Sequence, residues 1–175
     1  PHTGPFESFA GFDVFVAAVK RQIQFLTDSY VAWMNGELRK RFTAGDPKLY
    51  RTFFTRDCVK KRKSFEAGGA RYNWSVVSYQ GIANLIDSLA AVRTCVFESG
   101  KVSGRQLVEA LDANFAGHEA IRRQLLKAPK FGNDLDAVDS VAQDVIRFAW
   151  ETLYSHEPPR GGRYLASCIL FTTYG

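Results

Sequence analysis

The sequence predicts a mostly helical α/β fold, and three observations carry that prediction. Six segments repeat apolar residues at helical spacing. Two short stretches, YNWSVVSY at 72–79 and GGRYLASCILFTT at 161–173, are β-prone and bounded by glycine. Both stretches are flanked by long helices of the kind that cross between parallel strands. With 175 residues, 46% hydrophobic and 23% charged, the chain has the balance of a globular protein, not of a disordered or fibrous one. One domain burying roughly 70% of its unfolded surface is expected at this length.

In chain order, Phe12, Val16, Val19, Ile23, Leu26, Tyr30 and Trp33 recur at steps of four and three, one apolar face of a long first helix that fades after Gly36. Asp46-Pro47 supplies a cap and a favoured first helical residue. A second helix is therefore expected from about Pro47 to Lys61, with Tyr50, Phe53, Phe54 and Cys58 on one side. The first strand, Tyr72 to Tyr79, turns at Gly81 into a helix running to Phe97, with Ile82, Leu85, Ile86, Leu89, Val92 and Val96 buried. Ser103 and Gln106 form a capping box, and Leu107, Leu111 and Phe115 give the next helix its face. A short helix covers His118 to Lys127 before Pro129. Asp134, Asp136 and Asp139 sit where a helix N-terminus attracts acids, and the helix closes at Pro158-Pro159. The second strand runs from Tyr164 to Thr173.

Net charge is +5, so nucleic-acid binding has to be weighed. The basic runs Arg39–Arg41 and Lys60–Lys63 lie at expected helix ends, where cations complement the carbonyl dipole. No aromatic residues interleave with them as a single-strand platform requires. No apolar run approaches the ~20 residues of a membrane span, and PHTGPFESF lacks the regions of a signal peptide. A cytoplasmic protein with neither nucleic-acid nor membrane partner is expected. The chain has no initiator Met and stops at Gly175 directly after a β-prone run, so it is read as a piece of something longer.

Reactive groups are sparse. His2, His118 and His156 are scattered, and neither HExxH nor CxxC occurs, so no metal site is expected. No GxSxG elbow, P-loop or GxGxxG follows either strand, and no bound nucleotide is expected. Cys95 falls late in a helix and Cys168 within a strand, positions of core fillers. Cys58 adjoins Asp57, whose charge opposes a thiolate.

Longer words go further. DCVKKRKSFEAGGARYNW at 57–74, GIANLIDSLAAVRTCVFE at 81–98, LVEALDANFAGHEAIRRQLLKAPKFGNDLDAVDSVA at 107–142 and PPRGGRY at 158–164 together resemble the glycyl radical enzymes, the pyruvate formate-lyase-like family, over about Phe6 to Gly175. PKFGND, GGARYN and the DSLAA helix are specific in combination. The resemblance implies that the chain is a mostly helical fragment of a ten-stranded α/β barrel, one partial barrel domain truncated at both ends. It implies a glycyl radical installed by a radical SAM activating enzyme, a thiyl that abstracts hydrogen from a small-molecule substrate, and a homodimer at full length. The reaction is formate acetyl transfer, diol or hydroxyproline dehydration, or C–N or C–S cleavage.

Neither reactive residue of that family lies in this chain. The cysteine motif, glycine then cysteine with glutamate two residues on, fails at Cys58, which follows Asp57 and has Lys60 in the glutamate position. KVSGR at Lys101–Arg105 imitates the radical motif, but Gly104 follows one helix and opens another. No catalytic residue is expected here, and the fragment alone is expected to be inactive. Substrate contact is expected from Ser167, Ile169 and Phe171, which share a strand face with Leu165, opposite Ala166, Cys168 and Leu170. Asn73 is a further candidate, for which turn satisfaction competes. The rival is a stand-alone basic helical domain that binds nucleic acid or a protein.

Overall fold

The computed structural model describes residues 1–43 and 48–169. The element order is α1 (Phe12–Thr43), α2 (Leu49–Phe54), β1 (Trp74–Gln80), α3 (Ile82–Val92), α4 (Gly104–Asp112), α5 (Glu119–Leu126), α6 (Asp136–Tyr154) and β2 (Arg163–Ile169), with a 3-10 turn at Phe6–Ser8 and a π-helical segment at Arg93–Glu98. It is mostly helical with one small parallel sheet, β1 beside β2, in which Trp74 pairs with Arg163 and Gln80 with Ile169. The residues group into two compact units, 1–23 with 81–148, and 24–80 with 149–175.

The first unit is a helical core. Val16 of α1, Ile86, Leu89 and Ala90 of α3, and Val138, Val141, Ala142 and Val145 of α6 are buried together, with Phe12, Val19 and Ile23 packed on them. A second cluster joins Cys95, Val102, Leu107 and Ala128. The expected capping box is present: Ser103 Oγ accepts the Gln106 N–H at 3.2 Å and Gln106 Oε1 accepts the Ser103 N–H at 2.9 Å. Phe6 closes this end of the unit, stacking edge-on with Phe15 at 5.1 Å.

The second unit holds the sheet. Val31, Leu153 and Tyr164 are buried, and Val77, Tyr79 and Ala166 pack against them. Here the expected face of α1 is corrected: Leu26, Tyr30 and Trp33 are 63%, 41% and 59% exposed, whereas Thr27, Val31 and Leu38 are buried. Two apolar stripes run along this half of α1, and periodicity alone does not say which meets the core. The helix also continues past Gly36 to Thr43, because charged residues form helix well on a solvated face, where Lys40 pairs with Glu37 at 2.7 Å.

The second helix is shorter than expected. It ends at Phe54, Tyr50 and Phe54 are 84% and 88% exposed, and Cys58 is buried in the turn that follows. Asp46 and Pro47 lie outside the described residues. α3 gives way at Arg93 to π-helical turns instead of continuing in α form to Phe97. Phe115 falls beyond α4 with a positive φ of 62°, so it does not belong to its expected helix, whereas Asp134 lies two residues ahead of α6, at the N-terminus where the acids were expected.

Candidate functional site

The two words GGARYN and PPRGGRY meet at the start of the sheet. Gly68 and Gly162 have φ of +84° and +82°, and a Cβ would lie 2.2 Å from the Arg160 carbonyl oxygen at Gly68 and 1.9 Å from that of Asn73 at Gly162. Only glycine allows both the left-handed backbone and this approach. Asn73 Nδ2 donates to the carbonyls of Gly68 at 2.9 Å and Ala70 at 3.1 Å, so its amide holds the loop that launches β1. Beneath it, Glu66 is 4% exposed. Its carboxylate takes Lys48 Nζ at 3.0 Å and Arg160 Nη1 at 3.7 Å, and the Arg160 guanidinium lies over the Phe65 ring at 5.2 Å. Arg71 forks onto Asp57 at 2.8 and 3.1 Å; that hydrogen bond holds the Asp57 carboxyl below its ordinary range.

The pairing register divides the sheet into two faces, because partners in a parallel rung project to the same side. Ser75, Val77 and Tyr79 share one face with Tyr164, Ala166 and Cys168. That face meets the helices: Tyr79 Oη donates to the Ala149 carbonyl at 3.1 Å and Tyr164 Oη to Asn35 Oδ1 at 2.6 Å. Burial pushes both phenols above their ordinary pKa. The linkage sign follows: the unfolded phenols ionise first, so this stability is complete below about pH 10 and is lost as pH rises through the folded values. Urea midpoints measured from pH 8 to 11 are expected to fall above about pH 10, with a smaller fall in Tyr79→Phe.

The opposite face carries Val76, Ser78 and Gln80 beside Leu165, Ser167 and Ile169. It is open: Val76 is 60% and Ile169 38% exposed, while Ser78 and Ser167 are half-buried. Ser167 and Ile169 are thus brought together, on the side away from the helices. Asn73 lies in the loop before them, and Phe171 lies outside the described residues. Val76, Ser78 and Gln80 were not picked out from the sequence; the signal for them was alternation along β1, usable only once the register with β2 is known.

Elsewhere the chemistry is quiet. Among the described residues no group of three His, Cys, Asp or Glu side chains is placed to hold a metal. No described helix is long and apolar enough to cross a membrane. Cys58 and Cys95 are buried, and Cys168, although exposed, has the parity of the helix-covered face. A cleft of about 450 Å³ in the first unit is walled by Leu107, Leu111, Leu125 and Leu126, with Asp87, Arg122 and Lys130 also lining it.

All of residues 1–175 match the family described as Pyruvate formate lyase-like. The chain belongs to that family. Within it, the chain is 31% identical over 173 residues to the trans-4-hydroxy-L-proline dehydratase of Clostridioides difficile, covering 98% of this chain and 22% of that one. The B12-independent glycerol dehydratase of Clostridium butyricum superimposes with a TM-score of 0.87 at 32% identity, over 95% of this chain and 21% of that one. A glycyl radical enzyme from Archaeoglobus fulgidus does so with a TM-score of 0.80 at 30% identity, over 89% and 20%. This pyruvate formate lyase-like chain therefore spans about a fifth of the length of these relatives. Its imitation of the radical motif has a packing explanation: a Cβ on Gly104 would lie 2.7 Å from the Phe6 ring.

Proposed function

We propose that this chain is a wall segment of a glycyl radical enzyme that eliminates a group from a small hydroxylated metabolite, as a dehydratase or a related lyase. The end-to-end similarity to dehydratases carries the proposal, and the sheet fits it. A barrel wall needs one face against helices and the other toward a lumen; the packed Tyr79 face and the open Ser167 face are compatible with that. Formate acetyl transfer draws no support from the relatives described above and is left out.

The glycyl radical, on a residue outside this chain, supplies hydrogen abstraction through a thiyl. This chain's own residues do other work. Val76, Leu165 and Ile169 supply the apolar part of the wall, which helps exclude water, and Ser167 offers a hydroxyl that orients a polar substrate group. Asn73 acts one step back, fixing the loop from which β1 starts. The full enzyme is proposed to be a cytoplasmic homodimer in a closed ten-stranded barrel, activated by a radical SAM enzyme.

The test uses the full-length protein, activated anaerobically, with glycerol and trans-4-hydroxy-L-proline as probes. Ile169→Phe is expected to change the ratio of kcat/KM between substrates by about 10-fold, the scale of a few methylenes in an apolar pocket, with the glycyl radical signal unchanged. Unchanged kinetics for every substrate, with fold and radical intact, contradicts the proposal.

A further inference from the structure

We propose that Ser78 determines substrate specificity together with Ser167, the two hydroxyls forming one rung of the wall between the Val76–Leu165 and Gln80–Ile169 rungs. The inference rests on the wall reading above and adds a residue to it. Ser78 and Ser167 are register partners in the parallel pair, so their side chains project together from strands about 4.8 Å apart. Val76 and Leu165 form the rung before them, and Gln80 and Ile169 the rung after.

Two observations separate this face from a second core layer. A parallel sheet covered on both sides reads as a nearly continuous apolar run, whereas Ser78, Ser167 and Gln80 make this face half polar. This face is also open, with Val76 60% exposed, whereas the other buries Ser75 and Tyr164; there the phenols have partners, Tyr79 on the Ala149 carbonyl and Tyr164 on Asn35, although Ser75 Oγ has none. Among the described residues, neither the Ser78 nor the Ser167 side chain has a hydrogen-bond partner, although both are half-buried. On this open face neither hydroxyl is sealed from solvent, so each keeps a donor and an acceptor that a bound polar group can take over from water. Two neighbouring hydroxyls, each both donor and acceptor, suit the hydroxyl-bearing end of a small substrate. The flanking Val76, Leu165 and Ile169 suit its carbon skeleton.

The experiment uses the activated full-length enzyme and the better of the two probes, glycerol or trans-4-hydroxy-L-proline. Ser78→Ala is expected to raise KM about 2- to 10-fold, the loss of one neutral hydrogen bond, with radical yield and thermal midpoint unchanged. Ser78→Thr, which keeps the hydroxyl on a residue suited to strands, is expected to stay within about 2-fold of the parent. The Ser78→Ala/Ser167→Ala double variant is expected to be non-additive, because both hydroxyls serve one substrate group. If Ser167→Ala changes KM and Ser78→Ala does not, the Ser78 inference is overturned while the wall reading stands. If neither variant moves KM in an enzyme that turns over, both are overturned. A purely structural role for Ser78 would move the thermal midpoint in Ser78→Ala and leave KM in place, and would also overturn it.

Discussion

Gly162→Ala is expected to destabilise the protein by about 2–5 kcal/mol, through left-handed strain and overpacking together. At Gly162 φ is +82° and a Cβ would sit 1.9 Å from the Asn73 carbonyl oxygen, which is backbone and has no rotamer to escape into. Gly161 is the internal control. Its φ is +77°, nearly the same, but nothing lies within 4 Å of its Cβ position, so Gly161→Ala is expected to cost only the strain, about 1–2 kcal/mol. Urea denaturation of both variants separates the contributions. Equal losses would mean that the loops carrying GGARYN and PPRGGRY do not interlock as described.

The second large effect is at Glu66, where Glu66→Ala is expected to cost about 3–5 kcal/mol, the range for removing one partner of a buried ion pair. The Glu66 and Arg160 side chains are only 5% and 14% exposed, against 38% for Lys48. Loss of the carboxylate therefore leaves the Arg160 cation desolvated, while Lys48 can turn to water. Glu66→Ala/Arg160→Met is expected to recover part of the loss, because the double replacement leaves no unpaired buried charge. A double-mutant cycle in urea measures this. Purely additive losses would show that the pair is not coupled.

Legibility in the sequence followed burial. The capping box at Ser103 was readable because one side chain answers one backbone group three residues away. Both strands were readable, β2 as far as Ile169, because glycine bounds them and β-branched or aromatic residues fill them, and their parallel pairing was foreseeable from the helices between them. The second half of α1 was misread because Leu26, Tyr30 and Trp33 repeat as regularly as Thr27 and Val31 do. In a chain that spans about a fifth of its relatives' length, a second apolar stripe need not face the core within the chain. α2 was overextended since apolar residues at helical spacing, Tyr50, Phe53 and Phe54, do not hold a helix when they are exposed.

The proposed wall face was legible by halves. Alternation along β2 put Ser167 and Ile169 on one face, and the helices turned out to pack on the other. Ser78, Val76 and Gln80 depended on a strand register that no local pattern sets. The Glu66 and Arg160 contact joins residues 94 positions apart, and an acid within a run of bases gave no sign that it would be buried.

The most direct test of the account is the structure of the full-length enzyme with substrate bound. The account predicts substrate atoms within about 4 Å of Ser167 and Ile169, the β1 and β2 strands lying side by side in a closed wall, and helices only on the Tyr79 and Tyr164 face. A helix or loop of the parent chain packed across Val76, Ser78, Ser167 and Ile169, with substrate bound elsewhere, would contradict it.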